Sequence, residues 1–227
     1  MNQDKLWDAF QNDPLLLKAF RARPRFEALL ARVRCDHTLL NIGVGDGSFE
    51  AMALARGIDV SSLDPSERSI EALRQAHGMG PKAQVGYANA MPFLDHSFDV
   101  VIMSEVIEHL DDTTIANSLK ELARVLKPGG RLIGTVPADE ILLDGQIVCP
   151  HCGKQSHRWG HVQSFSRERL CTTLGATFGQ VNVSRHYFSD LAQLNWKGKL
   201  SWVAKQLLLR VGVNGFGETF LFEAGRP

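Results

Sequence analysis

Four residues near position 150 have the types and spacing of a metal site. Cys149, Cys152, His157 and His161 follow the pattern C-x2-C-x4-H-x3-H. Two thiolates and two imidazoles suit tetrahedral zinc, and a closed set of four protein ligands is structural rather than catalytic. The spacing predicts one zinc ion pinning a loop that lacks a core of its own, with Cys171 as a reserve ligand. A redox-active cysteine pair is the rival chemistry. A second group lies upstream. Asn41-Ile42-Gly43-Val44-Gly45-Asp46-Gly47 sets alternating glycines between an apolar run and a helical pattern, where a ligand can approach the backbone closely. Asp64 closes the next apolar run, where a carboxylate can accept hydrogen bonds from both hydroxyls of a ribose. Its other reading is a helix cap, since Pro65 and Ser66 follow. A dinucleotide-binding loop would place its third glycine at position 48, which is Ser48.

The elements that position these residues alternate between strand and helix. Apolar runs at 38–42, 58–63, 83–87, 98–103 and 131–136 read as strands, and 48–56, 66–77 and a stretch capped by Asp112 read as helices. This order predicts a doubly wound α/β fold with a mainly parallel sheet covered on both faces. Ligands bind such sheets beyond the carboxyl ends of the strands. Residues 43–47, 64, 87–89 and 104–109 therefore share one rim. Upstream, residues 1–37 read as a helical cap. Asp13-Pro14 is a start signal, and Pro24 opens a second helix with Phe26, Leu29, Leu30 and Val33 on one face. The pair is either simple packing or a lid over the ligand. Downstream, Ser166 caps a helix, and 181–188 and 218–224 read as strands. Between them 200–213 forms an apolar helix with Lys197, Lys199, Lys205 and Arg210 around it, either a cap over the substrate or a membrane-surface helix.

Composition excludes several classes. The 227 residues carry 25 Lys+Arg against 25 Asp+Glu, and 44% are hydrophobic. General disorder is excluded, and so is a protein that works mainly by coating nucleic acid. No apolar run is long enough to cross a membrane. The first residues carry acids and no apolar run, unlike a secretory leader. With no leader, a disulfide framework is not expected, and the reading places the protein in the cytoplasm.

Residues 88–101 (ANAMPFLDHSFDVV), 104–110 (SEVIEHL) and 124–130 (RVLKPGG) together resemble a class I S-adenosylmethionine-dependent methyltransferase of the type 11 kind. The resemblance is close over 38–136 and looser to the C-terminus. It implies a seven-stranded sheet with the last strand antiparallel, in a domain spanning 38–227. That domain would hold a zinc-knuckle-like insertion at 137–163 and a cap helix within 189–214. It implies that Asn41, Gly43, Val44 and Gly45 cradle the methionine part of S-adenosylmethionine, and that Asp64 and Pro65 hold its ribose. Tyr87, Ala88 and Asn89 would border the adenine, and Ser104 and Glu105 the path to the sulfonium. Asn41 stands where the family has an acid, and Tyr87 where it has an aspartate. Glu108 and His109 are the candidate base residues. The E-x2-E-H pattern of Glu105, Glu108 and His109 is similar to ubiquinone-biosynthesis O-methyltransferases and small-RNA 2′-O-methyltransferases. In some of these, two acids and two histidines hold a divalent ion, and His161 would be the fourth ligand here. The expected activity is methyl transfer to O or N of a small molecule. The alternatives are an RNA-modifying enzyme that binds through the zinc loop, and a non-catalytic interaction protein on a cofactor fold.

Overall fold

The computed structural model describes residues 3–13, 22–213, 215 and 217–226. Helices α1 (Gln3–Asn12) and α2 (Arg23–Leu30) precede the sheet. Pro24 opens α2 as expected, whereas Pro14 lies outside the described residues. Strands β1 (Thr38–Ile42), β2 (Asp59–Asp64), β3 (Ala83–Val85), β4 (Phe98–Ser104) and β5 (Leu126–Pro137) run parallel. They alternate with α3 (Ser48–Leu54), α4 (Glu67–His77) and α5 (Asp112–Val125). After β5 come a two-stranded hairpin of β6 (Gln146–Val148) and β7 (Gln155–His157), then α6 (Arg167–Gly175), β8 (Gln180–His186), α7 (Trp196–Arg210) and β9 (Thr219–Gly225). The large sheet has seven strands in the order β3-β2-β1-β4-β5-β9-β8. Strand β9 alone runs against its neighbours. This is the α/β architecture with a reversed last strand that the resemblance implied.

The sheet is covered on both faces, so its central strands read as continuous apolar runs. Val100, Val101 and Ile102 of β4 are fully buried. Leu29, Leu39, Phe49, Val60 and Ile70 pack in one layer. Leu40, Leu63, Leu119, Leu122, Leu174 and Phe222 pack in the other. Helix caps follow the residue types: Ser66 Oγ accepts from the Ser69 N–H at 3.2 Å and Asp111 Oδ1 from the Thr114 N–H at 2.7 Å. The cap of α5 is thus Asp111 rather than Asp112, because Asp111 is still extended and Asp112 is already helical.

Three strand ends define the rim that matters. Thr219 pairs with both Pro137 and His186, so the excursions at 138–165 and 187–218 leave the sheet at one end. That end is also where β1, β2 and β4 finish. Helix α1 lies against α4 at this rim, where Ser66 Oγ meets Asp8 and Ser69 Oγ donates to Gln11 Oε1 at 2.7 Å.

Candidate active site

A cavity of about 470 Å³ opens on that rim. Its floor is the loop after β1. Gly43 takes φ +86°, and a Cβ there would press on Val106 at 3.0 Å. Asn41, Gly43, Val44 and Gly45 line the cavity with Asp64, Pro65, Tyr87, Ala88, Ser104 and Glu105. The strand order therefore collects nearly every residue that the resemblance assigned to the cofactor. Asn89 is the exception: it is exposed and does not line the cavity, because the Tyr87–Ala90 bridge turns it outward.

Asp64 is the best-anchored polar group here. Its Oδ1 accepts the Ser66 N–H at 2.8 Å and its Oδ2 the Val44 N–H at 2.9 Å. The side-chain amide of Gln11 in α1 adds a third donor to Oδ2 at 3.2 Å. Burial raises the Asp64 pKa, and these donors pull it back. Gln11 was not foreseen. Nothing local in the sequence marks it, since its partner is 53 residues away. Beneath the loop, the Asn41 amide donates to Glu50 Oε1 at 2.7 Å, and Ser62 Oγ donates to the same oxygen at 2.8 Å. Burial pushes Glu50 up to about 7 despite these two bonds. Glu105 takes φ +55°, an uncommon backbone conformation for a residue other than glycine. Its Oε2 lies 3.6 Å from Arg25 Nη1 of α2.

The far side of the cavity is a cluster of histidines and acids. One donor atom each of Glu108, His109 and His161 lies within 4.8 Å of the others, and so do those of Glu140, His157 and His161. The hydrogen bonds fix the tautomers. His109 Nδ1 faces the Gly160 carbonyl at 3.2 Å, so it carries the proton and leaves a lone pair on Nε2. His161 Nδ1 donates to Glu140 Oε2 at 2.5 Å. His157 is reversed: its Nδ1 accepts the His161 N–H at 3.2 Å, which puts its proton on Nε2, 3.6 Å from Glu140 Oε1. Gly145 makes room for this ring, because a Cβ there would collide with the imidazole. Both Glu108 carboxylate oxygens are buried without a hydrogen-bond partner. Burial, with the nearby Glu105 charge, raises Glu108 well above its usual range. Burial and then His161 hold His109 down to about 3. His109 therefore stays neutral and presents a lone pair, which suits a ligand better than a proton carrier.

The four sequence-derived zinc ligands are not brought together. No three donor atoms from Cys149, Cys152, His157 and His161 lie within 4.8 Å of one another. The reason is the hairpin, which the sequence reading missed. Val148 pairs with Gln155 and Gln146 with His157, so the cysteines sit in the tip and His157 at the base. The tip closes through the Cys149 N–H to the Lys154 carbonyl, while His157 and His161 stack inward with ring centroids 4.6 Å apart. Helix α1 roofs both halves of the cavity. Trp7 meets the His109 ring edge-on at 4.3 Å, and Phe10 lies 5.8 Å from Trp159.

Residues 40–134 match the family model described as a methyltransferase domain. Over that stretch the chain is similar to the family, and it shares its fold with a solved S-adenosylmethionine-dependent methyltransferase of Methanosarcina mazei, at a TM-score of 0.65 and 17% identity over 88% of this chain and 96% of that one. It is 39% identical over 134 residues to the O-methyltransferase resE of Aspergillus sclerotiorum, covering 56% of this chain and 48% of that protein. It superposes on the N-methyltransferase NodS from Bradyrhizobium japonicum WM9, solved with S-adenosyl-L-homocysteine, with a TM-score of 0.65 and 16% identity over all of both chains. It also superposes on the [4+2]-cyclase SpnF with a TM-score of 0.58 and 17% identity, over 89% of this chain and 80% of that one. The matches span between 18% and 48% of the curated relatives' lengths. Among the described residues, no helix is long and apolar enough to cross a membrane.

Proposed function

We propose that this protein transfers a methyl group from S-adenosylmethionine to an oxygen or nitrogen of a small-molecule acceptor. The observation that carries the reading is the convergence of the 43–45 loop, Asp64, Tyr87–Ala88 and Glu105 on one cavity, inside the stretch that matches the methyltransferase model. When bound, S-adenosylmethionine supplies a methyl already activated on a cationic sulfur. Asp64, held by two backbone N–H groups, accepts from the ribose hydroxyls once Gln11 moves aside. The backbone of the glycine loop contacts the methionine part, and Asn41 offers an uncharged amide where the family has an acid. Tyr87 and Ala88 flank the adenine. Trp7 and His109 close the acceptor side and hold the nucleophile in line, which lowers the barrier by removing rotational and translational freedom.

The same reading gives the far cluster a role. Glu108, His109 Nε2 and His161 Nε2 fit a divalent ion, with Gly160 and Glu140 orienting the two rings from behind. Such an ion would supply a Lewis acid for an acceptor oxygen. A zinc ion at Cys149 and Cys152 would need its other two ligands from elsewhere.

Two measurements test the proposal. Titration calorimetry should show S-adenosylmethionine binding in a one-to-one ratio. Mass spectrometry of cell extract, incubated with the protein and deuterium-labelled cofactor, should show a labelled small molecule. Cofactor binding without transfer to any metabolite, with labelled RNA instead, would replace the acceptor class. Absence of binding would leave only a shared fold.

A further inference from the structure

Helix α7 wears its apolar face outward. At 100° per residue, Trp196, Leu200, Val203 and Leu207 fall within about 60° of arc. All four are exposed, Trp196 by 70% and Leu200 by 63%. The side turned to the body is mixed, with Trp202 and Leu209 half-buried beside Lys205 and Gln206. Gln206 Nε2 donates to the Tyr187 carbonyl at 3.0 Å, and Lys205 Nζ lies 4.0 Å over the Tyr187 ring. Val211 and Val213 extend the exposed stripe past the helix end. A contiguous apolar stripe of this kind marks an interaction surface rather than a solvated one.

Charge identifies the partner. The sequence of α7, WKGKLSWVAKQLLLR, holds no acidic residue, in a chain whose total charge is zero. Lys197 and Lys199 flank the stripe on its two sides, and Trp196 stands at one end. An apolar stripe edged by cations and anchored by tryptophan suits the boundary between anionic headgroups and acyl chains. Topology gives the orientation. The excursion that holds α7 leaves the sheet at His186 and returns at Thr219, both at the end where β5 finishes. Gly217, Glu218 and Thr219 of that excursion line the cavity. On the neighbouring excursion, Leu143 and Val148 are exposed as well. We infer that α7 lies flat on an anionic lipid bilayer, so that the rim bearing the cavity is the membrane-proximal end of the molecule.

The inference does not depend on methyl transfer and is tested without acceptor. The full chain is sedimented with vesicles of phosphatidylcholine alone, and with vesicles of phosphatidylcholine and phosphatidylglycerol in equal parts. Binding is expected only to the second, weakening as salt rises. K197Q/K199Q should weaken it by about 30-fold, from roughly fivefold per cation removed near the surface. L200E/L207E should abolish it while the thermal melt stays unchanged, since both side chains already face solvent. No binding to either vesicle would overturn the inference, as would equal binding by L200E/L207E. So would light scattering that shows a dimer dissolved by L200E/L207E, because a second copy of the chain would then cover the stripe.

Discussion

Replacing Glu50 with glutamine tests how the floor of the cavity is built. The carboxyl is fully buried. Oε1 accepts from Asn41 and Ser62, and Oε2 has no hydrogen-bond partner. Burial outweighs the two bonds and lifts the group to about 7, against 4.5 for an exposed glutamate. Between those values the folded chain keeps a proton that the unfolded chain has lost. The stabilising contribution is thus complete below 4.5 and is lost as pH rises through about 7. The gap corresponds to about 3 kcal/mol, at about 1.4 kcal/mol per tenfold change in protonation. Glutamine keeps the oxygen that Asn41 and Ser62 need and carries no charge at any pH. Glu50→Gln should therefore match the parent near ~pH 5 and exceed it by up to about 3 kcal/mol near ~pH 8.5, which for a chain of this size is roughly 6–12 °C in melting temperature. Thermal melts of both proteins across that range decide the matter. A parent whose stability does not fall over the interval, or a variant weaker at both ends, would refute the buried, poorly satisfied carboxyl.

Other outcomes follow from the same geometry. Asp64→Ala should weaken S-adenosylmethionine binding by about 10- to 100-fold in calorimetry, the loss of one charge-assisted interaction of about 1.5–3 kcal/mol. Gln11→Ala should tighten that binding by about 2- to 10-fold, because it frees Asp64 Oδ2 from one competing hydrogen bond; weaker binding would show that Gln11 holds the cofactor rather than its place. Mn²⁺ titrated into metal-free protein should find one site that His109→Ala and His161→Ala remove. Glu140→Gln should weaken that site by about 10- to 100-fold by loosening the ring it orients. Cys149→Ser/Cys152→Ser should leave the site intact, and a metal content that follows the cysteines would return the centre to the hairpin tip.

The parts legible in the sequence are those where one residue type has one physical use. The β4 run is apolar at nearly every position because both faces are covered, and alternating glycines mark a loop that a ligand approaches. Asp64 was readable as a strand-end carboxylate that lines the cavity, while its oxygens also hold the Ser66 and Val44 N–H groups. What escaped the reading depends on distant pairing. The C-x2-C-x4-H-x3-H spacing treats its segment as an unpaired loop, whereas the Gln146–His157 pair carries the first histidine to the far end of a hairpin. Glu140 meets His161 across 21 positions with no intervening pattern. Glu50 reads as an ordinary acid in the first turn of a helix, a favourable place for its charge, until its burial is known. The motif alone places Asn89 at the cavity, and a local bridge turns it away.

Helix α1 is only ten residues long, yet it touches both ends of the cavity. Its Gln11 sits on Asp64, and its Trp7 sits on His109. A short rigid rod cannot release one end and keep the other in place. A ligand that lifts the helix off Asp64 therefore also unseats Trp7, and one that lifts it off His109 also draws Gln11 away from Asp64. The two halves of the cavity share one conformational cost, so whichever ligand arrives first bears it and the second binds more tightly by the same factor. That factor is reciprocal by thermodynamic necessity. The rod thus links two neighbouring subsites into one unit, through ten residues that lie outside the sheet altogether.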